Sequence, residues 1–362
     1  MVDYFRSHGQ KYRLQDSLGW GHMDRQIRTM EDFAEEIGLS RPTVSRYFRE
    51  PTSVKKATRK TIEDGLEKYA FRPNYYASNI TRQKTKAIGI IVPSIIDPFY
   101  SALVNEIEIF AEERGYLTIL QCSHADPKVE IQALERLKSM NLSGIAMAPL
   151  GSLTDTKAVE RAQNSVPIVF VDSRLTNDHP YVGTNNRQSV SMIVDYLCRS
   201  GTAPVLFQLP PMNSTAVERK KIYFERMDEL GHMPTVLNPD PIPVIDNYER
   251  YGFEQFLLLS NTNLPKGSTI LCTNDRVAFG LLAAAAKLNL KVGKGPDDDF
   301  RVAGHDNQHF SKYTNPSLTT IAQDIKQIGT FAAQALLGNA TSGNVLDEDH
   351  LIDGKILFRD SA

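Results

Sequence analysis

The sequence predicts an α/β protein in which an N-terminal all-α helix-turn-helix head precedes two doubly wound parallel-sheet lobes. Three observations carry that prediction. Residues 30–48, MEDFAEEIGLSRPTVSRYF, have the spacing of two short helices that cross closely. From Ala87 onward, short apolar runs alternate with amphipathic stretches, the pattern of parallel strands covered on both faces by helices. The alternation restarts after Gly183, which divides the body into two lobes with a cleft between them.

In the head, Ala34 is small where two helices must approach, and Gly38 stands where the chain turns with a left-handed backbone. Val44 points back at the first helix, and Phe33, Ile37, Leu39 and Phe48 complete a shared core. Ser40 is placed to N-cap the second helix, and Pro42 sits in its first turn, where a missing N–H is harmless. A loop at 51–54 leads to a third helix over 56–70, stopped by Phe71-Arg72-Pro73-Asn74. Residues 74–82, NYYASNITR, are too short for a stable isolated helix, though Tyr76, Ala77 and Ile80 share one face.

The body opens with AIGIIVPS as a buried strand and a helix over 99–114 that ends at Gly115. YLTILQCS, GIAMAP and PIVFVDS follow as strands separated by helices, one of them over 128–140. After Gly183 come a helix over 189–199, strand PVLFQL, a helix over 216–229 and a strand-like TVLN. A helix over 248–258, strand STILCTN, a helix over 276–288 and strand FRVAGHD complete the second cycle. Ligands of such sheets bind at the carboxyl ends of the strands.

Composition narrows the function classes. The 362 residues suit two or three domains, and 41% hydrophobic with 23% charged residues is ordinary for a globular chain. No run approaches twenty apolar residues, and residues 1–15 lack the apolar segment of a signal peptide. Cys122, Cys198 and Cys272 are dispersed without metal-ligand spacing, as expected of buried free thiols in a reducing cytoplasm. The net charge of −2 hides an asymmetry: residues 24–86 carry 14 Lys/Arg against 9 Asp/Glu, while residues 87–362 carry 24 against 32. A basic head on an acidic body is the footprint of a polyanion-binding module joined to a separate domain. Walker, G-x-G-x-x-G, H-E-x-x-H and G-x-S-x-G patterns are absent. His124, His179, His305 and His309 stand beside no visible nucleophile, so no enzyme is expected.

At this point the chain resembles the LacI/GalR family of bacterial transcription regulators, from about residue 29 to the end. The resemblance rests on TMEDFAEEIGLSRPTVSRYF and ATRKTIEDGLEKYAFRPN in the head. In the body it rests on AIGIIVPSIIDPFY, GYLTILQCS, LSGIAMAP, PIVFVDS, TILCTNDRVAFG, VAGHDN and PSLTTIAQD, in that order. It implies a cytoplasmic homodimer of periplasmic-binding-protein-like cores, nucleoid-associated when on DNA, each core carrying a head on a hinge that becomes helical on a pseudo-palindromic operator. Residues 1–23, with Trp20, are then a disordered extension or lie upstream of an alternative start at Met23. Residues 24–73 are the DNA-binding domain and 74–86 the hinge helix and linker. Residues 87–362 are the core, with lobe N at about 87–184 and 322–344 and lobe C at about 185–321 and 345–362. The absence of a heptad tail favours a dimer over a tetramer.

The second helix enters the major groove by its N-terminal half, with Arg41, Pro42 and Arg46 outward. Each arginine can donate two hydrogen bonds to guanine or can contact phosphate. Pro42 replaces the family's common polar residue and offers at most an apolar contact with a thymine methyl. Thr43, Ser45 and Tyr47 are expected at phosphates. Ala77 and Ile80 match hinge positions that press into the minor groove; ordinary helix packing is the alternative for Ile80, which replaces the usual leucine.

For the cleft, the strand and helix ends supply Asp97, Phe99, Tyr100, Asp172, Arg219, Asn247, Tyr248, Asn274 and Asp306. Carboxylates, amides and guanidinium bridge hydroxyls while a ring covers an apolar face, which favours a sugar or polyol. A purine, sugar phosphate or organic acid is the alternative, since Arg219 could clamp an anion. Asp172 and Asp306 could instead cap helices, Asn274 stabilise a turn and Phe99 belong to the core. Asp275 is expected to be structural, capping the following helix. No cofactor or metal is expected. A periplasmic-type solute-binding protein is the rival from another class, disfavoured by the head and the missing signal peptide.

Overall fold

A computed structural model describes residues 27–72, 85–176, 179–209, 214–237, 247–259, 265–338 and 348–362. The extension at 1–23, with Trp20, and the hinge positions Ala77 and Ile80 lie outside the described residues. The chain divides into two compact units, Met1–Thr81 and Arg82–Ala362.

The head unit holds α1 (Met30–Glu36), α2 (Arg41–Arg49) and α3 (Lys56–Tyr69), with a 3-10 turn at Pro51–Ser53 where a loop is expected. A capping box starts α1: the Thr29 hydroxyl accepts from the Asp32 amide, and the Asp32 carboxylate accepts from the Thr29 amide. Gly38 has φ +69°, which lets the chain reverse so that the Leu39 amide donates to Ala34 O at 2.9 Å. Ser40 occupies the N-cap of α2, but its hydroxyl makes no cap bond and pairs with Thr43 Oγ1 at 2.8 Å. Phe33, Ala34, Val44, Ile62 and Phe71 form the core, with Phe33 and Phe71 stacked at 4.5 Å. α3 approaches closely at Gly65, where a Cβ would meet Ile37 Cγ2 at 2.6 Å.

The body unit contains two sheets. The first takes β1 (Ala87–Val92), β2 (Leu117–Cys122), β3 (Gly144–Met147), β4 (Ile168–Val171) and β5 (Tyr181–Thr184). The second takes β6 (Pro204–Phe207), β7 (Ser268–Cys272), β8 (Phe300–Asp306) and β9 (Thr319–Ala322). β10 (His350–Ile352) pairs with β5 and β11 (Lys355–Leu357) with β9, giving orders β10-β5-β4-β3-β1-β2 and β11-β9-β8-β7-β6. Every pair is parallel except β11 on β9. The helices that cover them are α4 (Pro98–Glu112), α5 (Pro127–Ser139), α6 (Thr156–Gln163), α7 (Asn186–Ser200), α8 (Ser214–Glu229), α9 (Tyr248–Leu259), α10 (Asp275–Lys287) and α11 (Ile325–Gly338). The fully buried runs of β1, β3, β4, β7 and β8 explain why these strands are legible as apolar segments.

Several expectations need correction. β5 goes unread in the sequence because it is four residues long and contains Gly183. TVLN is not a strand: one bridge joins Val236 to Leu206 at the sheet edge. Residues 345–362 do not all join lobe C, since β10 adds to the first sheet and only β11 to the second. α11, whose Ile328, Ala332, Ala333 and Leu336 fill the first lobe's core, was not read as an element. Of the cysteines only Cys272 is buried; Cys122 and Cys198 are half-buried, and all three are free.

The chain therefore crosses between sheets three times, after β5, after β9 and after β10. The crossings are tied together. The Gln188 side chain donates to Gly354 O and accepts from its amide, at 3.1 and 3.0 Å. The Asn185 amide donates to Ile352 O at 2.8 Å, and its side chain to Asp353 Oδ1 at 2.9 Å. Gly354 leaves no room for a side chain, since a Cβ would lie 2.8 Å from Ile321 Cγ2 and 3.0 Å from Ser189 Cβ.

Candidate functional site

The carboxyl ends of both sheets meet in a cleft lined by residues of both lobes, the place where ligands of such sheets bind. Asp172 directly follows β4 and Asp306 ends β8, both with positive φ, +62° and +122°. Such backbone is rare for a residue with a side chain and is tolerated where position matters more than local energy. The Tyr100 hydroxyl donates to Asp172 Oδ2 at 2.9 Å. Arg219 on α8 donates from Nη1 to Asp306 Oδ1 at 3.2 Å and to Thr273 O at 3.0 Å, and from Nε to Asn186 Oδ1 at 3.0 Å. Gln323, just past β9, donates to the same Asp306 oxygen at 2.7 Å and accepts from the Thr184 hydroxyl.

These neighbours set the protonation of the carboxylates. Burial pushes Asp172 up to about 6, against the pull of Arg219 and the Tyr100 bond. Asp306 is equally buried, yet Arg219, His305 and Gln323 hold it below the ordinary value. His305 is pushed down to about 4 by burial and by Arg219, so it sits neutral, sharing a proton contact with Ser189 Oγ at 3.0 Å.

Aromatic rings wall the other side. Phe99 and Tyr100 line the cleft and also belong to the first lobe's core, edge to face at 5.3 Å. Tyr248 lines it from the start of α9. Asn274 lines the cleft, and its Oδ1 caps α10 at the Val277 amide, 2.9 Å away. Asn247 is not among the lining residues; it is exposed and its Oδ1 accepts from the Arg250 amide at 2.7 Å, the cap of α9. Asp275 is fully buried but does not cap the helix. Its carboxylate accepts from Thr320 Oγ1 at 2.6 Å, Ser311 Oγ at 2.5 Å and the Gln308 amide at 2.8 Å, tying α10 to β9 and to the loop after β8.

Thr215, Thr273, Leu209 and Gln323 also line the cleft, and sequence reasoning missed them. Gln323 could have been found as the residue beyond a strand in TTIAQ; Leu209 and Thr215 belong to no recognisable sequence pattern. An ion triad at the rim was missed as well. Arg276 on α10 grips Glu249 with two hydrogen bonds of 2.7 Å and reaches Asp97 Oδ2, across the cleft in the first lobe, at 3.0 Å. Asp97 simultaneously caps α4 through Oδ1 and the Phe99 amide at 3.0 Å. The pair joins residues 179 apart in sequence, which no local pattern signals.

In the head unit, α2 exposes Arg41, Pro42 and Arg46, half-buries Thr43, Ser45 and Tyr47, and buries Val44. Arg41 lies 3.7 Å from Glu31, an exposed pair of little energetic weight. The Tyr47 hydroxyl reaches Glu63 Oε1 of α3 at 3.4 Å, so its tip is directed within the head. The basic outward face and the apolar inner face have the chemistry of a groove-reading helix.

Among the described residues no group of His, Cys, Asp or Glu could hold a metal, and no helix is long and apolar enough to cross a membrane.

Comparison with known proteins follows the same division. Residues 29–74 match the model of bacterial regulatory proteins of the lacI family, and residues 194–362 match that of periplasmic binding protein-like domains. The chain is 28% identical over 338 residues to the HTH-type transcriptional repressor CytR of Escherichia coli (strain K12), covering 92% of this chain and 96% of the relative. It is 27% identical over 344 residues to catabolite control protein A of Priestia megaterium, covering 92% and 98%. These relatives are transcription regulators, not enzymes. Among solved structures, the lac repressor dimer bound to operator and the anti-inducer ONPF is similar in fold, with TM-score 0.81, 23% identity and coverage of 92% and 98%. The ribose operon repressor protein of Lactobacillus acidophilus has TM-score 0.62 at 28% identity, over 77% of this chain and 98% of that one.

Proposed function

From the premise that this chain belongs to the lacI family, as a DNA-binding transcriptional repressor with a ligand-binding body, we propose that its effector is a sugar or polyol. The observation that carries this reading is the set of hydrogen-bonding side chains that line the cleft, Asp172, Asn274, Asp306 and Gln323 from the strand ends and Arg219 from α8. A hydroxyl both donates and accepts, so adjacent hydroxyls suit such a set, and the rings of Tyr248 and Phe99 among the lining residues suit the carbon face of a sugar. Asp97, Asp172 and Asp306 against Arg219 and Arg276 leave the cleft with an excess of negative charge. That excess works against a sugar phosphate or an organic acid.

The coupling follows from linkage. A ligand that binds across both lobes changes how they sit, and the hinge at 74–86 transmits this to operator binding; about 1–3 kcal/mol of coupling changes affinity roughly 5- to 150-fold. The protein acts in this reading as a cytoplasmic homodimer on a pseudo-palindromic operator, read by Arg41 and Arg46 with Ala77 and Ile80 in the minor groove. Exposed Phe310 and Tyr313, 63% and 64% accessible and grouped around His309, give the second lobe an apolar face suited to a second copy.

A thermal-shift screen of the purified protein against sugars, polyols, purines, sugar phosphates and organic acids tests the effector class. A ligand at a hundred times its dissociation constant stabilises by about 2.7 kcal/mol. Hits among sugars or polyols support the reading; hits confined to purines or to anions refute it.

A further inference from the structure

The cleft wall contains three carboxylates, Asp97, Asp172 and Asp306. Arg276 meets Asp97 at 3.0 Å and Arg219 meets Asp306 at 3.2 Å. Asp172 is only 8% exposed, yet it forms no ion pair among the described residues. Both guanidiniums are engaged elsewhere. Arg276 also holds Glu249 at 2.7 Å, and Arg219 donates to Asn186 Oδ1 and Thr273 O. A buried carboxylate without a cation is costly, and burial pushes this one up to about 6 against the pull of Arg219. Asp306 and Asp97 repel its charge and add to that push.

The two oxygens of Asp172 differ. Oδ2 accepts from the Tyr100 hydroxyl at 2.9 Å. Oδ1 accepts from no described residue and keeps accessible surface, so it opens on the cleft that Asp172 lines. On the second lobe, Arg219 Nη2, Asn274 Nδ2 and Asp306 Oδ2 are open in the same way, two donors and an acceptor for ligand hydroxyls. Asp172 Oδ1 requires a donor, and the donor that also cancels its charge is an ammonium group. Resting on the sugar-or-polyol reading, we propose that the effector is an amino sugar or amino polyol, whose protonated amine sits on Asp172 in the first lobe while its hydroxyls meet the second. A neutral sugar can donate a hydroxyl to the same oxygen, but it leaves the carboxylate without a counter-charge.

Calorimetric titration of the full-length protein at pH 7 tests this with glucosamine, galactosamine, mannosamine and glucamine. Each is run beside its parent (glucose, galactose, mannose or sorbitol) and its N-acetyl form. At least one amine is expected to bind at least tenfold tighter than its parent, and N-acetylation, which removes the charge, to abolish that gain. Asp172→Asn keeps the side-chain shape, and asparagine tolerates the positive φ at this position. It should bring amine and parent within threefold of each other. If the variant does not fold, the pH profile of the unmodified protein decides: protonating Asp172 between pH 7 and pH 5 should weaken the amine about tenfold and the parent much less. No binding by any of the amines, amines no tighter than their parents, or an advantage that survives Asp172→Asn would overturn the proposal. Each of these outcomes leaves the sugar-or-polyol reading to its own screen, which fails on hits confined to purines or anions.

Discussion

Asp97→Asn isolates the energetic role of the bridge across the cleft. Asparagine keeps the Oδ1 cap on the Phe99 amide and places an NH₂ group where the charged oxygen faced Arg276. Two unit charges 3.0 Å apart attract by about 5 kcal/mol at an effective dielectric constant near 20. Much of that is consumed by desolvation, since burial raises the Asp97 carboxyl above its ordinary value despite Arg276. Arg276 also keeps its two bonds to Glu249, so the substitution strands no buried cation. The net loss is then about 1–2 kcal/mol, a roughly 5- to 30-fold shift away from the bridged arrangement. The assay is a double-mutant cycle with Arg276→Gln, following effector dissociation constants by calorimetry and lobe separation by small-angle scattering. Because Asp97 also lines the cleft, the coupling energy is the decisive number: Asp97→Asn must matter much less once Arg276 is gone. An undiminished effect in the Arg276→Gln background, or unchanged scattering in Asp97→Asn, would refute the bridging role.

Asp275, buried and pushed up to about 7 by burial and then by Asp306, holds a proton in the folded state that the unfolded chain releases near pH 4. Folding stability from this group therefore declines as pH rises between those values, and Asp275→Asn should flatten that slope in denaturant melts taken from pH 5 to 8. Gly65→Ala forces a methyl against Ile37 and should destabilise the head by about 1–3 kcal/mol, read as faster hydrogen exchange in α1 and α3 with the body unchanged. Arg46→Ala, if the arginine reads a guanine, should cost about 1–3 kcal/mol on operator and flatten base preference at one position; a uniform loss on all sequences would reassign it to phosphate. Ile80→Ala should weaken specific binding by about tenfold and leave non-specific binding almost unchanged in gel shifts, and equal losses on both DNAs would remove the wedge.

The parts of this molecule that were legible in the sequence share a cause. Gly38 and Val44, and strands such as AIGIIV and STILC, declare themselves through periods set by the local backbone. The cleft was read by one rule, that strand ends carry the site, which located Asp172, Asp306 and Asn274 without any knowledge of their partners. That rule fails where an element is short or returns from elsewhere. β5 and β10 are four and three residues long and make sense only as neighbours in a sheet. Asn247 and Tyr248 open the same helix in the sequence reading, and that helix start spends the first on a cap and places the second at the cleft. Gln323 and Arg276 act on residues far away along the chain, Asp306 excepted for the first, so only the folded arrangement exposes them.

Because the backbone passes between the sheets three times, neither lobe is one continuous stretch of polypeptide. During synthesis the first sheet has every strand but β10 in hand early, while its apolar face still lacks Ile328, Ala332, Ala333 and Leu336. A nascent chain halted before Ile325 presents that face to its surroundings, a state prone to association with other chains. Genetic fusions or split reporters cut between the lobes would therefore divide both halves, and a workable break point has to be sought in a surface loop within one of them.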